Sequence, residues 1–93
     1  MKHQRHFDAS DTTSREAAQI SKMIGDLDRL VRTLDYDIAA EEERAQISDR
    51  SDVAYPILAR ALAARRDNLR DTIAALEQRL ATIKVPVVEA VAA

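Results

Sequence analysis

The apolar residues in the first half of the chain recur at alternating intervals of four and three positions. They are Ile20, Ile24, Leu27, Val31, Leu34 and Ile38. On a helix this spacing brings the apolar side chains to one side, and over several heptads it is typical of a coiled coil. The second half repeats the spacing at Ala59, Leu62, Arg66, Leu69, Ile73, Leu76, Leu80 and Ile83. The pattern therefore predicts two long helices, each with one seam to bury.

The composition agrees with an all-α fold. Ala, Leu, Arg, Asp and Glu dominate the 93 residues, which include one Gly, two Pro and three aromatic residues. Good helix formers are therefore abundant, whereas the turn residues and β-branched runs of a sheet are scarce. A single small domain of this length buries little of its own surface, which favours oligomerisation.

Capping and turn signals divide the chain into three regions. Residues 1–12 are polar and are interpreted as a disordered tail, and Thr13 with Glu16 forms a capping-box pattern that predicts a helix over 13–49. The stretch SDRSDVAYP predicts a turn over 49–55, because Ser and Asp bond to nearby backbone and Pro56 suits a first helical position. The second helix is predicted over 56–84, since Pro86 should stop it, and 85–93 forms a short apolar tail.

The short connection predicts an antiparallel hairpin, coiled-coil-like, in which facing residues have a nearly constant sum of residue numbers. Two sums bring the seams together, 100 and 107. The sum of 107 places Glu41 opposite Arg66, the two charged residues of the seams, whereas 100 leaves each facing an apolar residue. Because an unpaired charge in a seam is costly, the sequence favours 107 and a register-setting ion pair between Glu41 and Arg66.

Other charged residues also have expected partners. Asp35 is expected near Arg70, Asp37 near Arg65, and Asp28 is expected to bind Arg32 in its own helix. Glu42 and Glu43 are expected to point outward, on a solvated face or in ion pairs with neighbouring arginines.

Several classes of function find little support in the residues. The chain has no Cys, which excludes disulfides, thiolate catalysis and cysteine-based zinc sites. Its net charge of −2, with both signs interspersed, favours neither nucleic acid nor an anionic membrane. No apolar run approaches the roughly 18 to 20 residues that cross a bilayer. The N-terminus lacks the apolar core of a secretory signal, and a cytoplasmic location is expected.

Three patterns suggest chemistry, and each has a plainer reading. Met1-Lys2-His3, with His6, can bind Cu(II) or Ni(II) through nitrogen ligands, but is interpreted as part of the tail. The carboxylates from Asp35 to Glu43 have no histidine in either helix to complete a metal site, so ion pairs are expected. Arg60, Arg65, Arg66 and Arg70 could contact phosphates, but acidic residues on the other helix account for most of them. No catalytic residue and no cofactor are predicted.

Apolar residues outside the seams carry the functional hypothesis. Met23 and Leu30 widen the stripe of the first helix, and three more fall off the seams near the turn: Ile47, Ile57 and Leu58. Two helices cannot cover all of these residues. The sequence therefore predicts a non-enzymatic interaction module that forms a four-helix bundle as a homodimer. The alternative is an adaptor or chaperone-like protein that binds another protein's helix, and a weaker one is an arginine-mediated nucleic-acid binder.

Overall fold

Two long helices, α1 (Ala9–Ala45) and α2 (Ile57–Ala92), pack against each other in antiparallel directions. The structure is a computed structural model that describes the backbone of residues 9–92 and the side chains of residues 12–83. Over these residues it contains no strand, so the predicted pair of packed helices is confirmed. The molecule measures 66 × 33 × 14 Å. Residues 9–92 form a single layer in which the two helices pack on each other.

The start of α1 differs from the prediction. The helix begins at Ala9, so Thr13 lies one turn inside it and does not cap it. Glu16, the other half of the predicted capping box, accepts a hydrogen bond from Arg79 of α2 at 2.5 Å. The capping box is a local sequence pattern. In the folded chain the carboxylate of Glu16 binds Arg79 of the other helix. Residues 1–8, including the candidate metal motif Met1-Lys2-His3, lie outside the described residues.

The C-terminus of α1 is a Schellman motif. Gln46 adopts a left-handed conformation with φ of 60°. Its N–H donates to the carbonyl of Glu43, and the N–H of Ile47 donates to the carbonyl of Glu42, both at 3.2 Å. These two bonds satisfy carbonyls that the helix end would otherwise leave free. The helix therefore ends at Ala45, four residues before the predicted end.

Side-chain hydrogen bonds order the connection over residues 46–56. Asp49 accepts from the backbone N–H of Ser51 at 3.0 Å and from its hydroxyl at 2.7 Å. These bonds lower the pKa of Asp49, and the hydroxyl contributes most. Asp52 repeats the turn by accepting from the N–H of Ala54 at 2.8 Å. The Ser and Asp residues thus act as the sequence predicts, over a connection longer than the predicted 49–55.

The second helix departs from the prediction mainly at its far end. The carbonyl of Pro56 accepts the first helical bond, from Arg60, so α2 begins one residue after the predicted start. The helix then continues through Pro86 to Ala92, and the predicted end near Lys84 is wrong. A proline inside a helix removes one backbone bond at a cost of about 3 kcal/mol, which a long helix can sustain. The predicted tail 85–93 is thus helical up to Ala92.

The ion pairs between the helices fix the register. With the seam residues of each helix labelled a and d, the flanking positions are e on one side and g on the other. Glu16 and Arg79, both at g, have residue numbers that add to 95, and Asp35 and Arg70, both at e, add to 105. The seam residues lie between the e and g positions, so the numbers of facing seam residues add to the value midway between these two sums, which is 100. The register of 107 would displace each pair by one heptad, about 10.5 Å, and that prediction is wrong.

The closed end of the hairpin contains the main core cluster. Ile38, Tyr55, Ala59 and Ala63 are buried together, with Ile47 and Leu62 packed against them. The two alanines, one helical turn apart, leave space beside α1 that the ring of Tyr55 fills. This packing needs the longer connection and the register of 100, because it places Ala59 opposite Glu41.

Candidate interaction face

The charged seam residue of α2, Arg66, binds two carboxylates, and Glu41 is neither of them. Arg66 donates to Asp35 at 2.9 Å and to Asp67 at 3.2 Å, with 15% of its side chain exposed. The hydrogen bond to Asp35 is the main cause of its raised pKa, which burial opposes. Glu41 forms its ion pair with Arg44 in its own helix.

The predicted pair Glu41–Arg66 is therefore wrong. In the register of 100, Arg66 is not left unpaired, because its long side chain reaches a carboxylate at the neighbouring e position, that of Asp35. A polar seam residue was a correct signal of an ion pair, but the pattern did not identify the partner.

Two of the other predicted ion pairs are present and one is not. Asp35 binds Arg70 at 3.5 Å, and Asp28 binds Arg32 at 3.3 Å, as predicted. Asp37 and Arg65, by contrast, form no ion pair with each other in residues 12–83. Their residue numbers add to 102, so in the register of 100 they lie about two residues, or ~3 Å, apart along the hairpin axis.

Tyr55 is a buried polar residue that the sequence reasoning missed. Its hydroxyl donates to Glu42 at 2.6 Å, and this bond, more than burial, raises the pKa of Tyr55. The guanidinium of Arg60 lies 5.3 Å from the ring centroid, within range of a cation–π interaction, and also donates to the carbonyl of Arg50. Glu42 is therefore half-buried and bonded to Tyr55, whereas the sequence predicts that it points outward, on a solvated face or paired with arginines. The small residues Ala59 and Ala63, one turn apart on α2, are the sequence feature that could have indicated where Tyr55 packs.

The two sides of the helical layer differ in the large apolar residues that they expose. The e positions form one side, called here the polar face, which includes Asp28, Asp35, Glu42, Arg70 and Glu77. The g positions form the other side, called here the apolar face because it carries Met23, Leu30 and Leu58, which are 48%, 47% and 52% exposed. The same side also carries five charged residues: Glu16, Asp37, Arg44, Arg65 and Arg79. No large apolar residue of the described chain occupies an e position, so this asymmetry follows from the heptad pattern.

The remaining residues of the predicted partner surface lie elsewhere. Ile47 packs against the core cluster at the closed end and does not belong to an exposed surface. Ile57 is exposed, but it occupies an f position on the outer edge of α2. Tyr36, also at f, and Val53, in the connection, are exposed apolar residues that the sequence reasoning did not select.

Helix α2 buries its large apolar residues less well than α1 does. In α1, Ile20, Val31, Leu34 and Ile38 are buried, whereas in α2 the buried residues are the small Ala59 and Ala63. The seam residues of α2 that are only half-buried are Leu62, Leu69, Ile73, Leu76, Leu80 and Ile83. Several of these lie at d positions, directly beneath the apolar face. A second layer of helices on this face would cover them together with Met23, Leu30 and Leu58.

Other kinds of site find less support in the described residues. No three His, Cys, Asp or Glu residues among them are grouped to hold a metal ion. A shallow depression of about 230 Å³ lies on the outer side of α1, lined by Tyr36, Ala39, Ala40 and Glu43, and is open to solvent. Within the described chain, neither helix is both long and apolar enough to span a bilayer. Comparison with protein-family models, curated proteins and solved structures finds no match.

Proposed function

We propose that this chain is a small non-enzymatic interaction module that self-associates through its apolar face. The observation that carries the proposal is the placement of Met23, Leu30 and Leu58 on one side of a single helical layer. Helical domains bury an apolar face against a second layer, and a four-helix bundle is the commonest way for two hairpins to do so. In this arrangement each copy supplies the layer that the other lacks.

Side-chain burial supports the same conclusion. The half-buried leucines of α2 at d positions lie on the same side as the exposed g residues Met23 and Leu30, so the two groups form an apolar patch bordered by charged g residues. Large apolar side chains gain about 25 cal/mol for each Å² removed from water, so covering this patch contributes a substantial free energy. The polar face offers no such gain.

A mass measurement in solution tests the proposal. Sedimentation equilibrium at micromolar concentration should give twice the chain mass of 10.4 kDa. Changing Met23 and Leu30 to Glu should yield a helical monomer, because both side chains are already half-exposed in the single chain and their replacement leaves the core intact.

The matched control is Val53→Glu. Val53 is almost fully exposed in the connection, so the substitution makes the same chemical change away from the apolar face. This variant should remain dimeric. A monomeric wild-type chain, or a dimer that persists in the Met23→Glu, Leu30→Glu variant, contradicts the proposal.

The second candidate is an adaptor that offers the same face to a helix of another protein. The half-buried row Leu69, Leu76 and Ile83 favours it, because one amphipathic helix could lie along this row. A wild-type chain that stays monomeric up to high micromolar concentration would favour the adaptor over the homodimer.

A further inference from the structure

The apolar face carries a methionine, Met23, whose side chain is open to solvent. It is 48% exposed, and it lies within one helical turn of Ile20, which is buried, and of Leu27, which is half-buried. Met23 is therefore at the edge of the seam, with about half of its surface in water. The chain has two methionines and no cysteine, and the other methionine, Met1, lies outside the described residues.

A thioether is the group in this chain that hydrogen peroxide oxidises most readily, because the chain has no thiol. A lone pair on Sδ of Met23 attacks the peroxide and takes one of its oxygen atoms, while the O–O bond breaks and the second oxygen leaves as water. The sulfur loses two electrons and the peroxide gains two. The product, methionine sulfoxide, replaces a flexible apolar group with a polar one that accepts hydrogen bonds.

We infer that Met23 is an oxidation site that regulates self-association: peroxide converts it to the sulfoxide, and the oxidised chain dimerises more weakly. The inference rests on the proposed function, because the apolar face is the surface that a second copy covers there. Met23 belongs to this face together with Leu30 and Leu58. In a two-fold dimer each interface position occurs twice, so oxidation places two polar groups in the covered surface.

Two effects weaken the dimer of oxidised chains. The sulfoxide loses the gain from removing apolar surface from water, and its oxygen gives up hydrogen bonds to water when the interface covers it. Because both copies are affected, dimerisation should weaken at least about tenfold. The single hairpin should stay helical, since the half-exposed side chain of Met23 can keep its new oxygen in water.

Sedimentation equilibrium before and after treatment with hydrogen peroxide tests the inference. Mass spectrometry identifies the chains in which Met23 carries one added oxygen. The wild-type chain should be dimeric before treatment and should dimerise at least about tenfold more weakly after it. Two methionine sulfoxide reductases, one for each sulfoxide epimer, should restore the dimer in the presence of a thiol reductant.

Met23→Leu is the matched control, because leucine is an apolar side chain of similar volume without sulfur. This variant keeps Met1, so peroxide can still oxidise Met1 but should leave dimerisation unchanged. Met23→Gln introduces a polar side chain of similar length that suits a helix, and it should dimerise more weakly without any peroxide. If circular dichroism shows that oxidation lowers helicity, Met23→Gln provides the test.

The outcomes separate this inference from the proposed function. The inference is overturned if the treated wild-type chain dimerises as before, if peroxide leaves Met23 unmodified, or if Met23→Leu responds to peroxide as the wild type does. In each of these cases self-association stands. A wild-type chain that is monomeric before treatment overturns both.

Discussion

Arg66 of α2 binds Asp35 of α1 at 2.9 Å, whereas Glu41, the residue that the sequence pattern selected as its partner, binds Arg44. Both charged seam residues are thus neutralised separately, one across the hairpin and one within a helix. Because neither charge is left unpaired, the helices can adopt the register of 100. This register brings Ala59 and Ala63 to the closed end of the hairpin, where Tyr55 packs.

A double-mutant cycle should detect the Asp35–Arg66 pair. With Asp35→Asn and Arg66→Met, the coupling free energy should be about 1 kcal/mol, since Arg66 is largely buried but Asp35 is partly solvated. Urea denaturation of the four proteins at one fixed chain concentration measures it. The matching cycle of Glu41→Gln with Arg66→Met should give a coupling near zero. A larger coupling for Glu41 than for Asp35 would favour the other register.

Replacing Tyr55 with Phe should lower the free energy of unfolding by about 1 kcal/mol at neutral pH, because the hydrogen bond to Glu42 is lost while the ring is kept. The folded state raises the pKa of Tyr55 above its ordinary value of 10.0. The wild-type advantage is therefore fully present below pH 10 and should disappear as the pH rises through the raised value. Denaturation series at pH 7 to 11 compare the two proteins. An advantage that grows above pH 10 would contradict this hydrogen bond.

Gly25→Ala should stabilise the protein by about 0.5–1 kcal/mol. Gly25 lies inside α1, where glycine is a poor helix former, and an added Cβ would meet only Nη1 of Arg29 at 4.0 Å. Among the described residues, no other helix approaches this backbone closely enough to require glycine. Thermal unfolding monitored by circular dichroism checks the prediction. A destabilised variant would indicate that this position contacts something in the assembled protein.

Gln46→Gly should also stabilise the protein, by about 1 kcal/mol. Gln46 holds the left-handed position of the Schellman motif, which glycine adopts without steric cost. Gln46→Ala provides the comparison, since it keeps the cost of that conformation. Chemical denaturation should rank the glycine variant above both others, and an unchanged or lower stability would argue against the left-handed cap.

The sequence predicted the two helices and the residues of their seams, because the spacing of Ile20 to Ile38 determines which side of α1 is buried. It also identified Met23, Leu30 and Leu58 as residues outside the seams. It could not determine the register, since sliding one helix by a heptad again places apolar residues opposite apolar residues. The choice depends on Tyr55, Ala59 and Asp35, whose contacts require the path of the connection. The end of α1 at Ala45 was missed because glutamine at a left-handed position gives no local signal.

The register determines which residues of the two helices face each other and where Tyr55 and Ala59 pack, so it is the central claim. The chain contains no cysteine, which allows engineered cysteine pairs to report it cleanly. Oxidation of the Ile38→Cys, Leu62→Cys variant should form an intramolecular disulfide, detected by mass and by mobility without reductant. The Ile38→Cys, Leu69→Cys variant should form none. Efficient bonding of position 38 to position 69 in place of 62 would contradict the structure described here.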